Sequence, residues 1–319
     1  MAATQPFAGS PAPTGLPAPE QASLYLWERA SPRRAAQRPP ENTMTTNIIT
    51  SDTQALNVAA EVARHLRRDS ALRDRERRLP HAELELFTRS GLWAISVPKA
   101  FGGAGVSNVT LAKVIARIAQ ADGSLGQIPQ NHFYSLEVLR VNGTPEQQQR
   151  LYAEVLAGSR FGNALAELGT KTANDRTTRL TRDGDGFRIN GRKFYSTGAI
   201  YAQRIPTSVV DEQGVQHLAF VPADSQGLQV IDDWSGFGQR TTGSGSVVFD
   251  NVYVSAADVV PFQSAFERPT PVGPLAQTPS CRHRHRHRPR RIPKMPCTSC
   301  APAAAPGSTP AWTRPAMTR

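Results

Sequence analysis

The fold is decided by residues 190–199, which read NGRKFYSTGA. Asn-Gly is a strong hairpin signal because both residues tolerate positive φ, so we expect a two-residue turn at Asn190-Gly191. The strand that follows carries Tyr195-Ser196-Thr197. An aromatic ring offers a flat face, and adjacent hydroxyls with their backbone amides offer hydrogen-bond donors. This pattern suits the polar edge of a planar heterocycle, although the same residue types are also common in ordinary strands.

Upstream of this stretch, residues 51–158 have helical periodicity, because apolar residues recur every three or four positions. Thr144-Pro145-Glu146 is a strong helix start: a capping hydroxyl, a proline in the first turn and an acid at the positive end of the dipole. The predicted helices cover 55–66, Pro80 to Gly91, 111–118, His132 to Asn142-Gly143, and Thr144 to Gly158.

From residue 161 to residue 260 the apolar period changes to two. Short apolar runs are separated by turn signals at 183–186, 211–214 and Asp250-Asn251. Many short strands with tight turns predict an antiparallel β-sandwich or barrel. A helical block followed by a strand block is an α+β fold with segregated elements.

Composition changes divide the chain further. Residues 1–43 contain eight prolines and only one apolar cluster, which predicts a disordered leader and a true start at Met44; a targeting segment is the alternative, although it is too rich in proline for an amphipathic helix. We expect four segments: the disordered leader 1–43, a helical domain 44–159, a β domain 160–277 and a disordered basic tail 278–319.

The net charge of +11 belongs mainly to the tail, where residues 278–319 carry nine Arg or Lys and no acid. Residues 44–277 carry 24 basic and 23 acidic side chains, so no nucleic-acid-binding face is expected there. All three cysteines lie after residue 277, which fits a reducing cytoplasm. We expect no metal site in the folded region, no secretory signal and no membrane helix.

The tail has three interpretations. Its alternating Arg and His and its Cys297–Cys300 spacing are compatible with a metal site, and its charge is compatible with a nucleic-acid-binding arm. A GC-rich gene translated in the wrong frame is the interpretation we favour, because residues 278–319 contain eight prolines and no Leu, Val, Phe, Asp, Glu, Asn or Gln.

Two further stretches precede the decisive one, LWAISVPKAFGGAG at 92–105 and ALAELG at 164–169. In this order and spacing the three stretches resemble the acyl-CoA dehydrogenase superfamily of flavoproteins, over about residues 50–277. The resemblance implies a helical domain, a β domain and a C-terminal four-helix domain, and the last of these is expected to be absent from this chain. It also implies a flavin cofactor, FMN or FAD, and homo-oligomeric relatives.

Within that superfamily, dehydrogenases carry Leu-Thr-Glu-Pro where residues 165–168 here read LAEL. This departure, with the stretches 127–133 and 234–245, resembles the branch of dibenzothiophene monooxygenase and the sulfur-acquisition oxidoreductases. The resemblance implies a reduced-flavin-dependent monooxygenase with a separate flavin reductase as partner. The implied flavin contacts are Leu165, Ala166, Glu167, Thr172, Tyr195, Ser196 and Thr197. The implied catalytic residues are Asn131 and His132, and the implied substrate contact is Trp234.

Several of these residues have a structural alternative. His132 is nearly as well explained as a buried histidine with one hydrogen bond, and Asn131 as the cap of the helix that follows. Trp234 is compatible with a core position, and Glu167 with a stabilising acid paired with an arginine. The charged run 73–78 predicts a solvated helix face.

Two alternative functions stay open: an FAD-dependent acyl-CoA dehydrogenase and a non-catalytic two-domain remnant. A reduced-flavin monooxygenase requires oxygen and a reductase, whereas a dehydrogenase has its flavin reduced by an acyl-CoA. A remnant would hold no stoichiometric flavin.

Overall fold

The computed structural model describes residues 46–170, 175–273 and 275. The expectations for residues 1–43, Met44, Thr172 and the tail 278–319 lie outside these residues. Six α-helices occupy the first part of the described chain. Short 3₁₀ turns occur among the helices at Leu92–Ala94 and Lys99–Phe101, and in the strand region at Ala199–Tyr201, Ala256–Asp258 and Gln263–Ala265. The helices are α1 (Asp52–Leu66), α2 (Ser70–Glu76), α3 (His81–Arg89), α4 (Asn108–Ala121), α5 (Gly123–Asn142) and α6 (Pro145–Leu156).

The α6 helix begins where the sequence predicts. The Thr144 side chain accepts a hydrogen bond from the Gln147 backbone amide, and the Gln147 side chain accepts one from the Thr144 amide. This reciprocal capping box satisfies two amides that the first turn would otherwise leave unpaired. The preceding helix ends at Asn142, also as predicted.

The start of α5 differs from the prediction. The helix begins at Gly123, capped by the Asp122 side chain, and continues through Pro129, so His132 lies in its interior. Most of its residues are buried on every face, and such a helix has no apolar stripe by which the sequence pattern could reveal it. Its contact with α4 is close, because a β-carbon on Gly126 would lie 2.4 Å from the Ala119 side chain.

The second part of the described chain is a seven-stranded sheet in the order β5-β6-β2-β1-β3-β4-β7. All pairings are antiparallel except β1 with β3, which are parallel at Arg179 and Val210. The α+β fold class is confirmed, with a mostly antiparallel mixed sheet. The strands are β1 (Arg179–Asp183), β2 (Gly186–Lys193), β3 (Arg204–Val210), β4 (Gln216–Pro222), β5 (Leu228–Ile231), β6 (Ser246–Ser255) and β7 (Val259–Pro261).

The predicted turn at Asn190-Gly191 is wrong, and so is the predicted break at Asp250-Asn251. Both pairs lie inside strands, β2 and β6, and they face each other where the register shifts between Ile189 and Gly191. Asn251 takes a φ of +54°, and its amide donates to the Asn190 side chain over 2.8 Å. Residues that tolerate positive φ serve here in a β-bulge, which needs the same backbone freedom as a turn.

The charged run 73–78 is not the predicted solvated face. Arg73 is 2% exposed, and its guanidinium lies 2.6 Å from Asp122 and 2.9 Å from Glu83. It also donates to the Leu66 carbonyl oxygen over 2.6 Å. Arg73 therefore ties α1, α3 and the start of α5 together, and only part of the run faces solvent.

Candidate functional site

The predicted flavin contacts Tyr195, Ser196 and Thr197 lie just after β2, and we call them together with Gly198 the flavin edge. Three backbone hydrogen bonds fix it to its neighbours: Phe194 N–H to Ala166 O at 3.1 Å, Ser196 N–H to Gly245 O at 3.0 Å and Gly198 N–H to Thr242 O at 3.0 Å. The Thr197 and Ser244 hydroxyls are 2.8 Å apart, and Ser244 is 2.7 Å from the Thr242 hydroxyl. The edge is therefore held rigidly between the segment around Ala166 and the loop before β6.

These bonds use most of the donors that the sequence predicts for this stretch. The Ser196 and Thr197 amides donate to Gly245 and Tyr195 carbonyl oxygens, and the Thr197 hydroxyl is paired with Ser244. The Ser196 hydroxyl differs, because it is buried and has no hydrogen-bond partner among the described residues. A buried unpaired hydroxyl costs about 1–3 kcal/mol, so a ligand that accepts a hydrogen bond from this atom would remove a cost that the described residues leave in place.

Tyr195 stands beside that hydroxyl in a strained conformation. Its φ is +59°, which is uncommon for any residue with a side chain and costs an aromatic residue about 1–3 kcal/mol. The Asn163 side chain donates to the Tyr195 carbonyl oxygen over 3.0 Å and so holds the backbone in place. The ring is 48% exposed. The strain thus places a flat aromatic face at the surface, next to Ser196.

Trp234 borders the same surface. Its ring centroid is 6.1 Å from that of Tyr195 at an interplanar angle of 74°, an edge-to-face contact. The indole N–H donates to the Gln239 carbonyl oxygen over 3.0 Å, so the loop curls around the ring. Trp234 is half-buried and lines a cleft of about 500 Å³ with Phe237, Arg77 and Arg240. This location agrees better with a wall residue than with a core position.

The Glu167 side chain is fully engaged within the protein. Its carboxylate lies 2.6 Å from Lys193 Nζ and accepts hydrogen bonds from the amides and hydroxyls of Thr177 and Thr178 at 2.6–3.2 Å. Both members of the ion pair are buried, with 2% and 0% of their side chains exposed. The partner is a lysine rather than the expected arginine. This side chain supports the fold and leaves no oxygen directed at a ligand.

The charges of this pair follow from their surroundings. Burial alone would raise the pKa of Glu167, but the hydrogen bonds from Lys193 and Thr177 outweigh it and hold the pKa at about 2. Burial lowers the pKa of Lys193 to about 8, against the opposing effect of the Glu167 carboxylate. Both groups are therefore charged at neutral pH.

Leu165 and Ala166 form the segment that lies against β2 and β3. The Leu165 carbonyl oxygen accepts from the Ser208 hydroxyl over 2.9 Å, and the Ala166 carbonyl oxygen accepts from Phe194. Their contribution to a ligand site is limited to backbone, as the alanine at 166 implies. Asn163, Lys193 and Ser244 shape this region but were not predicted, because each acts by a contact across more than 25 residues that no local pattern reveals.

His132 does not have the geometry expected of a proton donor to a ligand. The side chain is fully buried, Nε2 lies 2.9 Å from the Trp93 carbonyl oxygen, and Nδ1 accepts the Phe161 amide at 3.1 Å. The neutral tautomer protonated at Nε2 satisfies both contacts. Burial lowers the pKa of His132 to about 4, although its hydrogen bond to Trp93 opposes the shift. The geometry supports the structural alternative: His132 joins α5 to Trp93 and Phe161.

Asn131 is available where His132 is not. It lies in the middle of α5, so it does not cap that helix, and its side chain makes no hydrogen bond within the described ranges 46–170, 175–273 and 275. The same helix packs under the flavin edge, because a β-carbon on Gly198 would lie 3.2 Å from Ile128 Cγ2. Asn131 is one turn beyond Ile128 on the same face of α5, and its amide has no hydrogen bond to the described residues.

The buried imidazole makes stability pH-dependent. His132 has a folded pKa of about 4, below the usual 6.5, so the unfolded chain binds an extra proton between these values. We expect the free energy of unfolding to fall as pH decreases from 6.5 toward 4, by up to about 1.4 kcal/mol per pH unit for this group. Urea titrations at several pH values measure the slope. His132→Gln, which keeps one donor and one acceptor but no charge, should reduce it; an unchanged slope would contradict the assignment.

The sequence comparisons agree with this architecture. Residues 52–159 match the acyl-CoA dehydrogenase N-terminal domain, and residues 164–252 match the acyl-CoA dehydrogenase middle domain. The chain belongs to the acyl-CoA dehydrogenase family. The predicted family and fold are confirmed.

Among members of this family, the chain is similar to a dibenzothiophene monooxygenase of Rhodococcus qingshengii, with 30% identity over 240 residues, 71% of this chain and 58% of the relative. It is 31% identical over 215 residues to "Probable FMNH2-dependent monooxygenase SfnC" of Pseudomonas putida, 66% of this chain and 53% of the relative. The FMN-bound crystal structure of TdsC from Paenibacillus sp. A11-2 superposes with a TM-score of 0.67 and 32% identity, covering 72% of this chain and 61% of that one. The chain thus spans a little over half the length of these curated relatives.

Two negative observations apply to the described residues alone. None of their helices is long and apolar enough to cross a membrane. They also contain no group of three or more His, Cys, Asp or Glu side chains placed to hold a metal ion.

Proposed function

We propose that this protein binds flavin, as FMN, along Tyr195, Ser196 and Thr197, and that it is a reduced-flavin-dependent monooxygenase of organosulfur compounds. The observation that carries the proposal is the Ser196 hydroxyl, which is buried without a partner among the described residues and lies beside the half-exposed Tyr195 at positive φ. The similarity to a dibenzothiophene monooxygenase and to an FMNH2-dependent monooxygenase supports the reaction class.

The residues present fit a flavin. An isoalloxazine ring has an apolar face and a polar edge with hydrogen-bond acceptors. Tyr195 and Trp234 supply aromatic surface, and Ser196 supplies a donor that lacks a partner among the described residues. The fixed backbone bonds of residues 194–198 pre-organise this edge, which reduces the entropy lost on binding.

Each residue then has a definite role. Reduced flavin, when bound, supplies the electrons that activate oxygen for transfer to the substrate. Ser196 orients the cofactor by one hydrogen bond, and Tyr195 with Trp234 keeps water from its edge. Asn131, as a neutral amide on α5, offers a donor and an acceptor without changing its protonation state. Proton transfer by His132 is not part of this proposal.

The proposal implies partners beyond the chain. A separate flavin reductase supplies the reduced cofactor, and its usual setting is a reducing cytoplasm. Organosulfur compounds are the substrate class, and dibenzothiophene is the probe of choice because a similar protein acts on it. We propose homo-oligomers as well, since the fully exposed Phe237 ring favours burial against another surface.

Flavin binding tests the site. We expect FMN fluorescence to be quenched on titration with the protein, and Ser196→Ala to weaken binding about two- to tenfold, as befits one hydrogen bond. Ser225→Ala is the matched control. Ser225 lies on the loop after β4 and its hydroxyl donates to the Pro222 carbonyl oxygen, so this substitution should leave the affinity for FMN unchanged. Equal affinity of Ser196→Ala and the unmodified protein would remove Ser196 from the site.

A further inference from the structure

The segment between β5 and β6 is the longest connection within the sheet, fourteen residues from 232 to 245 with four glycines. Loops of this length without regular structure are uncommon and usually serve a function. We call residues 232–240 the Trp234 loop. It packs onto itself through the indole, since a β-carbon on Gly236 would lie 2.4 Å from the Trp234 ring.

The end of this connection next to β6 is hydrogen-bonded to the flavin edge. Gly245 and Thr242 accept the amides of Ser196 and Gly198, and Ser244 pairs with the Thr197 hydroxyl. A displacement of the Trp234 loop would therefore change the edge-to-face contact between Trp234 and Tyr195.

The Trp234 loop itself is joined to the end of α2 by an ion pair and hydrogen bonds. Arg77 forms an ion pair with Asp232, and its Nε donates to the Trp234 carbonyl oxygen over 3.2 Å. The Arg240 amide donates to the Asp74 carboxylate over 2.7 Å, and its guanidinium donates to the Arg75 carbonyl oxygen over 2.9 Å. Four contacts therefore join this short segment to the Trp234 loop.

The ion pair among these contacts is weak enough to break. The side chains of Arg77 and Asp232 are 27% and 36% exposed, and exposed ion pairs contribute only about 0–1 kcal/mol each. Arg77 itself has a φ of +53°, a conformation that favours glycine, so the contact geometry is held at a backbone cost. Two of the four contacts, the Arg77–Asp232 pair and the bond from Arg240 to the Arg75 carbonyl oxygen, are exposed to solvent, so this part of the attachment can break while the part-buried bonds remain.

From this arrangement we infer that the Trp234 loop is a lid over the flavin edge and that Arg77 and Asp232 form its latch. Arg77 is a positioning residue: it acts on the edge through Trp234 and Tyr195 and does not reach the flavin itself. The latch stands on the loop geometry alone, whereas its effect on flavin rests on the function proposed above.

Fluorine NMR of protein labelled with 5-fluorotryptophan tests the latch without flavin. The chain has four tryptophans, and Trp234→Phe assigns the resonance of interest. We expect Arg77→Met and Asp232→Asn each to shift and broaden the Trp234 signal, while the Trp93 signal, from the buried helical core, stays unchanged and reports an intact fold. Arg78→Met is the matched control, because among the described residues the Arg78 guanidinium forms an ion pair only with Glu83, at 3.8 Å.

A flavin titration completes the test. We expect the Kd for FMN to rise about two- to fivefold in Arg77→Met and in Asp232→Asn, with no change in Arg78→Met. An unaltered Trp234 signal in both latch variants would overturn the lid, as would equal FMN affinity alongside a shifted signal. If the unmodified protein binds no FMN, the proposed function fails, and the fluorine spectra still decide whether the latch exists.

Discussion

Replacing Lys193 by methionine is expected to lower the free energy of unfolding by about 3–5 kcal/mol, because it leaves a carboxylate buried without its counter-charge. Lys193 Nζ is 2.6 Å from Glu167, and neither side chain is accessible to water that might replace the lost ammonium. Methionine matches the aliphatic part of lysine and lacks only the ammonium group, so the loss reports the charge more than a cavity. Chemical denaturation followed by circular dichroism measures it.

Two controls isolate the ion pair. Arg188→Met breaks an exposed pair with Asp183, at 39% and 46% exposure, and should cost no more than about 1 kcal/mol. Adding Glu167→Gln to Lys193→Met removes the uncompensated charge and should restore part of the stability. A cost below about 1 kcal/mol for Lys193→Met alone would show that the carboxylate finds another partner.

His132→Leu is the second large effect, a loss of about 2–5 kcal/mol. Leucine has a similar volume but leaves the Trp93 carbonyl oxygen and the Phe161 amide buried without partners, and each such group costs about 1–3 kcal/mol. His132→Gln offers one donor and one acceptor and should be less destabilising. Thermal and urea unfolding of the two variants make the comparison.

The neighbouring residue should behave in the opposite way. Asn131→Ala removes a side chain with no hydrogen bond to the described residues, so its stability should stay within about 0.5 kcal/mol of the unmodified protein, while its affinity for FMN falls. Loss of flavin binding in His132→Gln with stability intact, and none in Asn131→Ala, would reverse the roles assigned to these two residues.

Local signals predicted much of this fold. The capping hydroxyl of Thr144 and the short apolar runs of β3 and β4 are properties of neighbouring residues, and the structure has a helix start and two strands there. The two strands are buried along most of their length, however, and do not alternate between buried and exposed residues. Signals of backbone freedom were less specific. Asn190-Gly191 and Asp250-Asn251 tolerate positive φ in a turn or a bulge equally, and only the pairing of β2 with β6 decides between them.

The candidate site was predicted as a location rather than as a set of contacts. The resemblance placed the edge at Tyr195–Thr197, and the structure brings Trp234 and α5 beside it. Which atoms stay free depends on contacts between distant residues, such as Ser244 with Thr197 and Phe161 with His132. Such contacts use the polar atoms of Glu167 and His132, whereas the side chains of Ser196 and Asn131 have no hydrogen-bond partner among the described residues.

Turnover under labelled oxygen tests the central claim most directly. The protein would be supplied with FMN, a flavin reductase with its nicotinamide donor, and dibenzothiophene under ¹⁸O₂, and the product examined by mass spectrometry. The account predicts one ¹⁸O atom per oxygenation of sulfur and no product without the reductase. An unlabelled or absent product, together with bleaching of bound flavin by an acyl-CoA under anaerobic conditions, would contradict it and establish dehydrogenase chemistry instead.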